Sequence, residues 1–350
     1  MQFIKAVFWN AEQRRVRALW RLIGQIILLM TIALPLETVV GFVAFGALLA
    51  HEGIGPDQLA DPHVMDTLSP ERVQEFINRS PALMMLSVLA LMVAFPLSVW
   101  LAGRFLDRRP FADFGFHLNK NWWGDFGFGL LQGALLMVLI FVIELAAGWV
   151  TIRGTFVTRN PDTTFATAML PPLLTFLAVG FYEELFSRGY QLQNMAEGLN
   201  WRAIGPRWAI ALATLLSSAV FGILHAGNPN ASFVSTVNLF LAGIHLALGF
   251  LLTGELAIPI GLHITWNFFQ GNVFGFPVSG ADYRSATFIA IEQSGPAVWT
   301  GGAFGPEAGL VGLGAMAVGG LLTVLWVRWR YGRVELHTTL AEPPERSQPT

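Results

Sequence analysis

The stretch Phe181-Tyr-Glu-Glu-Leu-Phe-Ser-Arg188 places two adjacent carboxylates inside a segment that otherwise reads as membrane-buried. From Leu173 to Leu192 the residues run LLTFLAVGFYEELFSRGYQL, about one bilayer thickness of helix at ~1.5 Å per residue. A carboxylate near the middle of such a helix costs roughly 2.5 kcal/mol or more, so a pair demands compensation, usually a polar cavity shared with other helices. Glu184 and Arg188 stand four apart with the acid first, the favourable order for an intrahelical pair. Glu183, about 100° round the helix, has no such partner. A bland alternative is that both acids only tie helices together.

The composition agrees with a membrane setting. Hydrophobic residues make up 54% of the 350 and charged residues only 13%, with a mean hydropathy of +0.54. Soluble domains carry about 25% charged residues. A net charge of -2 argues against a nucleic-acid surface, and the lack of cysteine removes disulfides, thiolate metal sites and a cysteine nucleophile. Eight apolar segments have spanning length: 22–50, 81–103, 124–150, 171–193, 208–226, 233–253, 257–274 and 308–327. The expected fold is therefore all-α and polytopic, about eight transmembrane helices around an intramembrane polar cavity. Residues 1–21 read as a basic amphipathic lead-in at the membrane surface, 22–333 as the transmembrane domain and 334–350 as a disordered tail. With the N-terminus inside, sixteen of the twenty-one basic residues fall on cytoplasmic segments, which predicts both termini inside.

Further polar residues lie within these spans. His225 ends the fifth in Phe221-Gly-Ile-Leu-His225, just before the turn Gly227-Asn-Pro-Asn230, and His263 and Asn267 share a face of the seventh. Three spans contributing Glu, His, and His with Asn point to a shared polar site. Glu37, Glu144 and His245 lack spaced companions and read as structural hydrogen-bonding groups. His225 poses a difficulty of depth, because it falls near the outer end of its span while Glu183 and His263 sit lower. Either that helix starts below the membrane surface or the turn after His225 dips inward beside a cavity.

Taken together, Glu183-Glu184-x-x-x-Arg188, Phe221-x-x-x-His225 and His263-x-x-x-Asn267 resemble the CPBP family of intramembrane endopeptidases, the CAAX proteases and bacteriocin-processing, Abi-like enzymes. The likeness covers about 171–275. It implies that Glu183 is the general base acting on water with His225 assisting. It makes His263 and Asn267 donors to the oxyanion, and Glu184 and Arg188 supports. It implies a membrane-associated or lipidated protein or peptide as substrate, in a bacterial cytoplasmic membrane. No cofactor is expected, since Asn267 suits an oxyanion and is a poor zinc ligand; Glu183, His225 and His263 would be the ligands were zinc used. A proton- or ion-coupled transporter and a non-proteolytic scaffold or immunity protein are the competing readings.

Overall fold

The computed structural model describes residues 7–61, 63–64 and 68–344, with only the backbone of residue 78. The first part of the expected lead-in and the end of the expected tail lie outside these residues. Seven helices are long and apolar enough to cross a membrane. They are α1 (Ala18–Glu52), α3 (Pro81–Ala102), α4 (Lys120–Ala146), α5 (Phe165–Glu184), α7 (Gly205–Leu224), α8 (Phe233–Thr253) and α10 (Leu310–Tyr331), α3 and α5 running on into wider π-type coils. An amphipathic helix, α2 (Pro70–Arg79), precedes α3, and α6 (Gln193–Leu199) continues α5 beyond its π-type coil at Leu185–Leu192. The remaining expected span, the seventh in order, is the shorter α9 (Ala257–Phe268), extended by a π-type turn at Phe269–Val273.

Helix α9 differs from the others in length and in surroundings. Ala257 to Ile264 are all buried, sheathed by α4, α5 and α8. The closest contact is with α4, where Gly129 and Gly133 face the backbone of α9. A Cβ at either would come within 2.4 Å of the carbonyl oxygen of Ile258 or Leu262. This is small-residue packing of the kind that holds helices together in lipid. Thr265 adds a hydrogen bond from Oγ1 to the Leu130 carbonyl at 2.7 Å. The result is a short, largely apolar helix that carries His263 and Asn267 into the middle of the bundle.

On α1 the buried residues Arg21, Gln25, Leu29, Ala33, Val40, Ala44 and Leu48 recur mainly at steps of four, one helical stripe facing α3. Gln25 donates to Ser98 Oγ at 3.0 Å, and Ser87 Oγ donates to Glu37 at 2.7 Å, so polar groups tie the pair. The opposite faces carry exposed Leu34 and Phe42, as lipid contact allows.

Besides a two-residue pairing of Trp9–Asn10 with Arg15–Val16, a longer two-stranded ladder adds to the helical expectation. β1 (Val150–Thr158) pairs antiparallel with β2 (Ala286–Gln293), from Val150 opposite Gln293 to Thr158 opposite Ala286. The stretches TIRGTFVT and ATFIAIEQ are rich in β-branched and aromatic residues, which suit a pleated surface. The ladder joins the connection after α4 to the chain beyond α9 and so braces the loop 275–285.

The ends of the chain depart from expectation for an electrostatic reason. Arg15, Arg21 and Arg109 all bond Glu197, and Arg21 also pairs with Asp107 at 2.8 Å. All five side chains are buried, and Tyr190 donates its hydroxyl to Asp107. Arg15 and Arg21 thus turn inward instead of lying on a lipid surface. The tail, expected to be disordered from 334, packs as far as it is described. His337 N–H donates to the Leu251 carbonyl, Asn200 donates to the Ala341 carbonyl, and Leu340 and Ala341 are buried in the core.

Replacing Glu197 with Ala leaves three buried guanidiniums with only Asp107 and the more distant Asp113, 3.9 Å from Arg109, as acids beside them. The expected cost is about 3 kcal/mol or more. Thermal melting in detergent checks it, and an unchanged midpoint would mean that the network is not a structural tie.

Candidate active site

Four elements bring the motif residues together. Glu183 and Glu184 end α5, Arg188 follows in its π-type coil, His225 caps α7, and His263 and Asn267 lie on α9. The depth of His225 follows from chain length. Sixteen residues lead from Glu183 to Leu199, and twenty lead back from Gly205 to His225, so the antiparallel return brings the histidine to the level of the acid. The turn Asn228-Pro229 borders the cavity.

Glu184 is the hub of the arrangement. Its Oε1 accepts from Arg188 Nη1 and from His263 Nδ1, each at 2.8 Å, and both the acid and the arginine are fully buried. Arg188 also donates to the Gly243 carbonyl of α8 at 3.0 Å, and its guanidinium lies 4.6 Å over the Phe221 ring. Phe221 in turn packs against His225, ring centres 4.6 Å apart. The phenylalanine of the second motif is therefore a spacer between the buried cation and the histidine.

Glu183 is built differently. It makes no hydrogen bond among the described residues, its side chain is 23% exposed, and its Oε2 stands 4.0 Å from His263 Nε2. The histidine tautomers follow from their partners. His263 Nδ1 faces a carboxylate and His225 Nδ1 faces the Phe221 carbonyl at 2.8 Å, so in each neutral ring Nδ1 carries the proton and Nε2 the lone pair. Asn267 makes no hydrogen bond among the described residues and leaves its amide free.

These groups line one cavity of about 470 Å³, bounded elsewhere by apolar side chains such as Leu91, Phe95 and Val179. The chain beyond α9 forms its cap. Asn228 donates to the Ser279 carbonyl at 2.9 Å and Asn230 to the Gly280 carbonyl at 3.2 Å. Gly280, with φ +82°, sits so close to Pro229 that a Cβ would overlap its carbonyl. Glu307, fully buried, accepts from the backbone N–H and hydroxyl of Ser279 and from Gln270. Burial pushes this carboxyl up to about 7, against the pull of those hydrogen bonds.

Glu307 and Tyr283 also line the cavity and were not anticipated. The available signal for Glu307 was a lone acid in an apolar stretch after Gly305-Pro306. Of the three residues expected to be structural, Glu37 accepts from Ser87 and Glu144 from Gln293. His245 departs from that pattern: it lines the cavity, and its Nε2 is buried without a partner. Glu183, His225 and His263 share the cavity, yet among the described residues no three of His, Asp and Glu gather closely enough to hold a metal ion.

Residues 165–269, which contain every motif residue, match a family described as type II CAAX prenyl endopeptidase Rce1-like. An uncharacterized protein of Bacillus subtilis, YyaK, is 28% identical over 177 residues, which is 49% of this chain and 54% of that protein. The chain thus spans about half the length of this curated relative. No solved structure matches.

The two adjacent acids should respond differently to the same change. Glu184→Gln leaves Arg188 and His263 without their shared anion and is expected to destabilise the protein by about 3 kcal/mol. Glu183→Gln, which breaks no hydrogen bond, should change stability by under about 1 kcal/mol. Denaturation of both variants in detergent checks this, and equal losses would contradict the hub.

Proposed function

We propose that this integral membrane protein, whose residues 165–269 are of the Rce1-like type, is an intramembrane endopeptidase. The observation that carries the reading is the Glu183 carboxylate, free of hydrogen bonds, facing a cavity beside a histidine oriented by Glu184. In this reading Glu183 takes a proton from water, and the hydroxyl oxygen adds to a peptide carbonyl. Asn267 donates an N–H to the resulting oxyanion, in a cavity where such a bond can supply a few kcal/mol. The C–N bond then breaks, and the proton that Glu183 took from water passes by way of His263 Nε2 to the leaving amine. His225 and His263, with Nε2 open to the cavity, accept or return a proton during the cycle. The substrate is a peptide segment of a membrane-associated or lipidated protein, the class that the matching family's description names by its CAAX prenyl endopeptidases.

One observation favours a second reading. Both histidines have Nδ1 committed and Nε2 bare, the state in which imidazole binds metal. A zinc ion held by Glu183, His225 and His263 would supply a Lewis acid and an activated water. The residues as arranged are not gathered for it.

Glu183→Gln should reduce peptide cleavage by at least about a thousandfold while the protein stays folded. A chelator should leave wild-type cleavage intact. Near-normal turnover in the variant would remove the general-base assignment, and loss with chelator restored by stoichiometric zinc would move the chemistry to metal.

We also infer that the end carrying Arg104, Arg328 and Arg333 is cytoplasmic, from the distribution of basic residues. The chain has no cysteine, so single-cysteine variants report cleanly. Arg333→Cys should label with an impermeant maleimide only in inverted vesicles and Arg153→Cys only in right-side-out ones; the reverse pattern would invert the topology.

A further inference from the structure

The cavity wall carries neutral donors that no protein group uses. Among the described residues the Tyr182 and Tyr283 hydroxyls, the Trp266 indole N–H and the Asn267 amide line it and make no hydrogen bond. A buried tyrosine hydroxyl usually finds a partner, so one left open at a cavity is available to a ligand.

Tyr182, Trp266 and Asn267 belong to α5 and α9, whereas Tyr283 comes from the cap, where its surroundings are closely tied. Its carbonyl accepts from Asn272 Nδ2 at 3.0 Å. Asn272, fully buried in the π-type turn after α9, also donates to the Ala286 carbonyl at 2.8 Å. On one side of the tyrosine Asp282 pairs with Arg159 at 2.6 Å. On the other, Ser285 donates its hydroxyl to the Ala168 carbonyl of α5 at 3.0 Å. The tyrosine ring packs edge-on against Phe176, centres 5.0 Å apart. Phe176, Val179 and Glu183 follow one another at steps of three and four on α5, a single face turned to the cavity. Tyr283 therefore lies against the face that ends in Glu183. Ring and backbone are held by the protein; the hydroxyl is not.

Burial, and after it the charge of Glu183, push that hydroxyl up to about 12, so it stays a neutral O–H at working pH. A peptide that enters a cavity walled by Leu91, Phe95 and Val179 gives up water, and each backbone carbonyl it brings needs a donor.

Resting on the peptidase reading above, we propose that Tyr283 is a substrate-positioning residue whose hydroxyl donates to a backbone carbonyl oxygen of the bound peptide and so sets the chain in register with Glu183. The bond forms on binding and persists through the reaction, so it contributes to affinity and not to the chemical step. A residue of the cap thereby reads the peptide while the motif residues act on it.

A randomised pool of N-palmitoylated octapeptides supplies a cleaved sequence, which is resynthesised for kinetics with purified full-length protein in detergent. Tyr283→Phe keeps the ring on Phe176 and breaks no hydrogen bond of the protein, so its melting midpoint should not move. KM should rise about fivefold, as for one hydrogen bond lost, with kcat changed by less than about twofold. A merely structural tyrosine would leave KM where it was. An unchanged KM, a loss confined to kcat, or a lowered midpoint overturns the proposal.

A binding arm separates this inference from the peptidase reading. Glu183→Gln protein and the double variant Glu183→Gln with Tyr283→Phe are each used to retain peptides from the pool. Weaker retention by the double variant, with no cleavage by wild type, would sink the peptidase reading and leave this one standing. Equal retention by the two proteins would sink this one, and the absence of both cleavage and retention would sink both.

Discussion

A single carboxylate oxygen, Oε1 of Glu184, receives both Arg188 and His263 inside the bundle, and much of the remaining arrangement depends on it. Three buried polar groups would each be costly alone in a medium without water. Joined, they fix three helices at one point. The arginine reaches the α8 backbone, the histidine belongs to α9, and the acid closes α5. The attraction between the groups offsets a desolvation cost that no apolar packing at that position would incur. What it yields is orientation: the imidazole is held by one nitrogen and turned so that the other faces Glu183.

The same economy explains why two neighbouring glutamates differ so much. Residues adjacent on a helix point about 100° apart, so one can face the packed interior while the other faces a cavity. Helical spacing alone distinguished them, because only Glu184 has a cation four residues on. The approach of His263 to Glu184 spans 79 positions and could not be read from spacing. Nor could the role of Phe221 as a ring between Arg188 and His225, which needs the crossing of α5 and α7. The apolar lengths located seven spanning helices, and α9 was found at the right place though it is shorter and buried along its first two turns. Periodicity could not separate a lipid-facing helix from an enclosed one, since both are apolar.

The parts that eluded sequence reading are those made by loops and ends. Glu307 acts on Ser279, which holds Asn228, three residues after His225; each link joins segments far apart in the chain. Arg21 and Glu197 are likewise distant, and a basic N-terminus reads as surface-bound until a buried acid is known to face it. Charge in such segments has two opposed meanings, solvated face or buried tie, and only the partner decides.

The commitment of Nδ1 in both histidines limits the proton chemistry that the cavity can support. A neutral ring with Nδ1–H bonded away can only accept at Nε2, so it cannot donate to an oxyanion. Among the four motif groups that open on the cavity, Asn267 is then the donor that needs no proton to act. His263 becomes a donor at Nε2 only as an imidazolium. That places its donation after a proton has arrived, when negative charge has formed on the substrate oxygen. Under the proposed chemistry Glu183, 4.0 Å from Nε2, is the nearest source of that proton, having just taken it from water. Asn267 would therefore stabilise the early transition state and His263 the later one. The unequal burial of two adjacent acids, one a counter-charge and the other, in the proposed chemistry, the base, is what would make such an order physically consistent.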